Sequence, residues 1–187
     1  MRFIIVCGGG STARRYQAAA KSAGKLDSED VDWIGIHATR LNGHLLRAIF
    51  RDLAHPVMIK DPTRKFKWKT SVLIGAGWKP GFSTDFDAVK LAENFKGDLL
   101  INLSNISFVY DRDPKEKGAK KIEKMSWLEL QKIVGTEWEP GANVPFDPVA
   151  TKAARKLGLK LAFVKGTDLE EVKKAILDKK FEGTVVE

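Results

Sequence analysis

Residues 2–11 read Arg2-Phe3-Ile4-Ile5-Val6-Cys7-Gly8-Gly9-Gly10-Ser11, a short apolar run that breaks into three glycines. β-branched and aromatic side chains dominate the run, which predicts a buried strand over residues 2–7. Residues 11–23 are alanine-rich and predict a helix ending near Gly24. A strand that passes through glycines into a helix lets backbone N–H groups approach a phosphate closely. The helix N-terminus adds positive potential at the same place. Arg14, one turn into the helix, can add a bidentate grip on phosphate oxygens. Three glycines alone are equally compatible with a tight turn that holds no ligand. The stretch is neither a P-loop nor a dinucleotide fingerprint, because no Gly-Lys-Ser/Thr follows and the spacing is not G-x-G-x-x-G.

Outward from this stretch the chain keeps alternating strand-like and helix-like segments. Ser28 is positioned to cap a second helix, whose Val31, Ile34, Ala38, Leu41, Leu45, Ile49 and Leu53 step by three or four along one face. Residues 56–60 and 71–75 read as short strands, 78–84 as a turn-rich loop, 85–95 as a helix and 99–103 as a strand, with a loop running to Pro114. Ser126 and Glu129 form a capping box for a helix that stops at Gly135. Asp147 caps a helix with Pro148 at its first position and Gly158 at its end. Residues 159–164 form a strand, Thr167 and Glu170 a second capping box, and 184–186 a terminal strand. Such alternation predicts an α/β protein with a mostly parallel sheet covered by helices.

The 187 residues are enough for one compact domain, and no apolar run approaches the ~20 residues of a membrane helix. The first residues lack a small-residue cleavage site, so no signal peptide is expected. Cys7, the one cysteine, allows no intrachain disulfide and suits a reducing cytoplasm. Placed in an apolar strand, it reads as an inert buried thiol. The net charge of +8 is concentrated in residues 115–124 and 173–180. These stretches lack the interleaved aromatics of a single-strand binder and read as solvated faces, so no specific nucleic-acid partner is expected. His37 and His44 have no third ligand in view, so no metal site is expected. Trp33, Trp127 and Trp138 read as core anchors.

Two further loops carry chemistry. Gly75-Ala76-Gly77-Trp78-Lys79-Pro80-Gly81-Phe82-Ser83-Thr84-Asp85 leaves a strand and enters a helix. In a parallel sheet such a loop lies at the carboxyl end of the strands, where ligands bind. Ser83 and Thr84 offer hydroxyls, Trp78 and Phe82 flat apolar walls, and Asp85 a helix cap. Asn102-Leu103-Ser104-Asn105 and Val109-Tyr110-Asp111-Arg112-Asp113-Pro114 also follow a strand. Tyr110 can pack on a base and the carboxylates can meet a ribose or a metal-bound phosphate. Taken alone, this third segment reads equally as a polar turn.

In combination these segments resemble the uridylate kinase (UMP kinase) branch of the amino-acid-kinase family, in its archaeal type. Residues 8–14 look like that branch's second glycine loop, and residues 32–40 (Asp-Trp-Ile-Gly-Ile-His-Ala-Thr-Arg) like the helix after it. Pro80-Gly81-Phe82-Ser83-Thr84-Asp85 is similar to the family's Pro-Gly-His-Thr-Thr-Asp loop. Ser104-Asn105 with residues 109–115 resembles its Thr-Asn and Val-Tyr-x-x-Asp-Pro-Lys motifs. Asp147-Pro148-Val149-Ala150 looks like its Asp-Pro-x-Ala helix start, and Gly183-Thr184-Val185-Val186 matches in kind.

The resemblance implies a three-layer αβα sandwich with a mostly parallel sheet, the carbamate-kinase-like fold, as one domain over 1–187. In it, residues 1–97 would bind UMP and 98–187 ATP. It implies transfer of the ATP γ-phosphate to UMP to give UDP, with Mg²⁺ carried by the nucleotide, in a cytoplasmic homo-oligomer, a hexamer built from dimers. Carried over by position, Gly9, Asp32, Trp78, Lys79, Pro80, Gly81, Phe82, Ser83 and Thr84 fall on the UMP side. Gly10, Arg14, Ser104, Tyr110 and Asp113 fall on the ATP side, and Arg14 and Asp85 are the catalytic side chains. The family pattern begins with a further strand, glycine loop and helix that would precede Met1, so the chain reads as N-terminally truncated and Met1 as an internal start. Ser83 and Ser104 stand for threonines, and Ser107-Phe108 replaces Asp-Gly beneath the adenosine. These departures leave open a catalytically impaired nucleotide-binding module, or a kinase with another small acceptor.

Overall fold

The structure, a computed structural model, describes residues 1–137 and 144–187. Trp138 lies outside the described residues. The chain divides into two compact units, Met1–Phe95 and Lys96–Glu187.

In the first unit, β1 (Phe3–Cys7) pairs in parallel with β2 (Val72–Ala76), in a register that sets Cys7 opposite Ala76. The helices α1 (Gly10–Ala23) and α2 (Ser28–Ile49) link the two strands, and α3 (Thr84–Phe95) follows β2. Period-two alternation gives each face of this sheet its own core. Ile5, Cys7, Val72, Ile74 and Ala76 face Leu46 and Phe50, beside Ala54 and Met58. Ile4, Val6 and Leu73 face Leu91 and Phe95 of α3. Burial pushes the Cys7 thiol up to about 11, as expected for an unreactive core cysteine.

α2 buries the first part of the stripe the sequence suggests, through Val31 and Ala38, but not its later part. Its buried residues are Val31, Ile36, Ala38, Thr39 and Gly43, whereas Leu41, Leu45 and Ile49 are 63%, 61% and 64% exposed. Gly43 is the reason. A Cβ there would lie 2.4 Å from Met58 Sδ and 3.6 Å from Ala76 Cβ and Ile74 Cγ2. The second half of the helix meets the sheet at Gly43, and Leu41, Leu45 and Ile49 lie outside. The helix also begins differently, with Asp27 at its N-cap and Ser28 already inside. The segment expected as a strand at 56–60 makes only one isolated bridge, Ile59 to Gly75, with Ala54 bridging Val72 just before it.

In the second unit, β3 (Leu99–Ser104), β7 (Lys160–Lys165), β8 (Gly183–Val186) and β6 (Lys124–Met125) form one sheet in the order β3-β7-β8-β6. β3 and β7 are parallel and β7 and β8 antiparallel, while β6 and β8 are parallel. β4 (Val109–Tyr110) and β5 (Lys121–Ile122) form a small antiparallel pair. One sheet face packs Ala162, Val164, Leu99 and Ile101 on Val172 and Ala175 of α6 (Leu169–Ile176). α4 (Trp127–Val134) starts from the expected capping box of Ser126 and Glu129 and ends at Gly135. α5 (Pro148–Leu157) is capped by Asp147, whose carboxylate accepts from Ala150 N at 2.6 Å, and ends at Gly158 in a left-handed conformation. Trp127 is a buried anchor whose Nε1 donates to Leu159 O at 2.8 Å. The cap of α6 is Asp168, which accepts from Glu171 N, rather than Thr167.

Candidate active site

Because β1 and β2 are parallel neighbours, the loops that leave them emerge at one carboxyl edge, where α/β sheets take ligands. The loops meet there, since a Cβ on Gly8 would lie 3.9 Å from Thr84 Oγ1. Gly9 is the N-cap of α1. A Cβ on it would sit 2.4 Å from Ala13 Cβ in the first turn of α1, so only glycine fits at the start of this helix, and 3.4 Å from Gly35 O of α2, an ordinary contact. Gly10 has φ of +58°, a left-handed conformation that glycine enters freely. Asn42 Nδ2 donates to Gly8 O at 2.8 Å and Gly9 O at 3.3 Å, tying the loop's carbonyls to α2. The first turn of α1 carries no acidic side chain, so its positive end is uncompensated and favours an anion. Arg14 is exposed one turn on.

The loop after β2 is held by side chains rather than by backbone ladders. Gly77 N donates to Thr39 Oγ1 at 2.8 Å and Trp78 N to Asp87 Oδ2 at 3.0 Å. The Arg40 guanidinium donates to Gly77 O from Nε at 3.3 Å and to Trp78 O from Nη2 at 2.9 Å. Farther along, Gly81 N, at a residue with φ of +84°, donates to Asp32 Oδ2 at 3.0 Å. Asp32 therefore holds the loop with one carboxylate oxygen. Trp78, Phe82 and Phe86 form a row with ring centroids 5.0 and 4.8 Å apart. The Lys79 ammonium lies 4.2 Å from the Trp78 ring centroid. Ser83 Oγ accepts from Phe86 N at 3.1 Å, so Ser83, not Asp85, caps α3. Asp85 occupies the first turn.

Asp87 is 1% exposed, and its Oδ1 has no hydrogen-bond partner. Burial pushes its carboxyl up to about 7, against the opposing pull of the Trp78 N–H and the Arg40 charge. Loss of solvation by burial lowers the Arg40 guanidinium, against the attraction of Asp87. Thr39, Arg40, Asn42 and Asp87 are the residues that sequence reasoning misses. Asp87 reads in sequence as an ordinary first-turn acid, and only the packing of α3 reveals its burial. Polar residues interrupting the apolar helix at 39, 40 and 42 were the one available signal.

In the second unit, Ser104 closes β3. Its Oγ accepts from Ile106 N at 3.3 Å, and its carbonyl accepts from Gly166 N at 2.9 Å. Tyr110 is half-buried in β4, opposite Lys121. Asp113 Oδ1 accepts from Lys115 N at 2.9 Å, turning the exposed segment after β4. Thr184 Oγ1 accepts from Val109 N at 2.9 Å and anchors β4 to β8. The Lys120 N–H and the Arg112 side chain hold the Asp111 carboxyl below its ordinary range. Trp33 is half-buried rather than a core anchor, with the Arg40 guanidinium 5.6 Å from its ring centroid.

A glycine loop and a strand-to-helix loop at one parallel edge, followed by a β3–hairpin–β7 unit, define a class, and the chain belongs to the amino acid kinase family, which matches residues 1–165. Within that family it is similar to uridylate kinases. It is 35% identical to the uridylate kinase of Methanoculleus marisnigri, over 99% of this chain and 80% of that one. It is 36% identical to that of Thermococcus sibiricus, over 98% and 82%. The crystal structure of the uridylate kinase from Archaeoglobus fulgidus matches with a TM-score of 0.86 at 33% identity, covering 100% of this chain and 85% of that one.

Proposed function

We infer that the chain transfers the γ-phosphoryl group of ATP to UMP, giving UDP and ADP. Similarity to uridylate kinases over 99% of the chain carries this reading. The convergence of the Gly8–Gly10 and Gly77–Thr84 loops supports it. No observation favours a binding module without transfer.

On this reading the first unit takes UMP and the second ATP. Trp78 to Thr84 surround the base and the acceptor phosphate, and Gly9 and Asp32 contact UMP, with Asp32 near the sugar. Gly10 and Arg14 meet the phosphates, Asp85 organises the site, and Ser104, Tyr110 and Asp113 contact ATP. Phosphoryl transfer asks for positioning and charge neutralisation rather than a covalent intermediate. The α1 N-terminus and Arg14 supply positive potential to the transferred group. Mg²⁺ arrives with ATP. Among the described residues no group of three His, Cys, Asp or Glu side chains is placed to hold a metal ion. No helix of the described residues is long and apolar enough to cross a membrane, and the enzyme works as a cytoplasmic homo-oligomer.

A coupled assay on the purified chain, with UMP, CMP and AMP offered as acceptors in the presence of ATP and Mg²⁺, tests the reading. UMP should be preferred. Turnover of a non-nucleotide acceptor instead would move the chain to another branch of the family.

A further inference from the structure

We propose that Arg40 and Asp87 are positioning residues for the acceptor nucleotide, acting through the Gly77–Trp78 backbone that they hold without touching the acceptor. The proposal rests on the reading of residues 78–84 as the acceptor loop.

All four polar backbone groups of Gly77 and Trp78 bond to side chains: Thr39 and Arg40 from α2, and Asp87 from α3. A surface loop ordinarily leaves such groups to water. Here they are held from both helices that cover the sheet, so the Trp78 backbone has little freedom to turn. That backbone orients everything beyond it. The Trp78 ring packs on Phe82, and the Lys79 ammonium sits over both rings at 4.2 and 5.3 Å. The Gly81 amide is moored separately to Asp32.

Stability alone does not account for Asp87. It shares α3 with the buried Val89, Leu91 and Ala92, which need no polar partner. A buried carboxyl with one orphaned oxygen is instead a cost to folding. What it provides is an acceptor for the Trp78 amide and a charge partner for Arg40. The charged groups that act on it are Arg40 from α2, Asp61 from the segment after α2, and Asp85 on its own helix.

The test compares wild type with Asp87→Leu, Asp87→Asn and Arg40→Met. It measures KM for UMP and for ATP, kcat, thermal melting, and hydrogen exchange at the 77–81 amides. Asp87→Leu should raise the UMP KM about ten-fold or more while the ATP KM stays within about two-fold, the scale of one lost oriented hydrogen bond. Asp87→Asn keeps an oxygen acceptor for Trp78 N and should recover most of the loss, a rescue that a purely packing role would not show. Arg40→Met should raise the UMP KM in the same direction, and it decides the matter if Asp87→Leu does not fold. An unchanged UMP KM in Arg40→Met, or equal losses for UMP and ATP, overturns the proposal. If wild type binds UMP and Asp87→Leu loses amide protection at Trp78 without losing UMP affinity, the clamp is structural and this proposal alone fails. If wild type takes no UMP, the acceptor reading itself fails and the proposal falls with it.

Discussion

At the scale of single residues, Arg14 and Asp87 represent opposite situations. Arg14 is exposed on α1 and its loss leaves no cavity. Arg14→Ala should therefore lower turnover about ten-fold or more, 1.4 kcal/mol or above in the barrier, with little change in melting temperature. A large stability loss with unaltered turnover would make it structural. Asp87 is buried, and its carboxyl is raised from the ordinary 3.8 to about 7. Between those values the folded chain binds a proton that the unfolded chain releases, so stability falls as pH rises through this window and levels off above it. The displacement corresponds to roughly 4 kcal/mol at most. Asp87→Asn removes the titration. Its stability should decline less than that of wild type between pH 5 and pH 8, measured by chemical denaturation. Parallel pH dependences would show that Asp87 does not titrate there.

At the scale of elements, α2 decides most. Its inner face supplies Asp32, Thr39, Arg40 and Asn42 to the loops of both strands. Its outer face presents Leu41, Leu45 and Ile49, each more than 60% exposed, with Leu53 beyond the helix at 52%. A contiguous apolar row of this kind is a liability on a monomer and suits a self-interface. The proposed oligomer should use it. Leu45→Lys combined with Ile49→Lys should lower the mass seen by light scattering at micromolar concentration while leaving the fold intact, because neither side chain belongs to the core. A wild-type chain that is already monomeric at that concentration would count against the assembly.

At the scale of the whole molecule, the proposed division of labour gives a paired expectation. Asp32→Asn and Thr84→Val should weaken UMP binding and leave ATP binding near wild type. For Thr84 the loss is ~1–3 kcal/mol, the cost of an unpaired buried partner. Tyr110→Ala should do the reverse. Calorimetry with each nucleotide separately checks all three variants, and unchanged UMP affinity in both first-unit variants would move the acceptor site elsewhere. Asp32→Asn carries a further consequence, because Asp32 also moors Gly81. Asparagine can still accept from that amide, so the loop should stay in place while the charge is removed.

The sequence by itself determined the features that depend on local chemistry. Short apolar runs marked β1, β2, β3 and β7, those of β1 and β2 rich in β-branched residues. Ser126 with Glu129, Asp147 with Pro148, and Gly135 and Gly158 marked helix ends, because a cap is satisfied within four residues of chain. The glycine loop and the Trp78–Thr84 loop were legible because glycine and short hydroxyl residues between a strand and a helix have few other uses. Tertiary structure alone decided which face of α2 is buried. Val31 and Ala38 of the expected stripe are buried, while in the second half of the helix close approach at Gly43 leaves Leu41, Leu45 and Ile49 outside. It also decided which of two nearby polar residues caps a helix, giving Ser83 over Asp85 and Asp168 over Thr167. Asp87 and Arg40 lie 47 residues apart in sequence and act on the backbone of a loop belonging to neither helix. Their role follows from how α2 and α3 pack against β1 and β2, and residue order shows only a polar interruption of α2, not the long-range packing that gives it meaning.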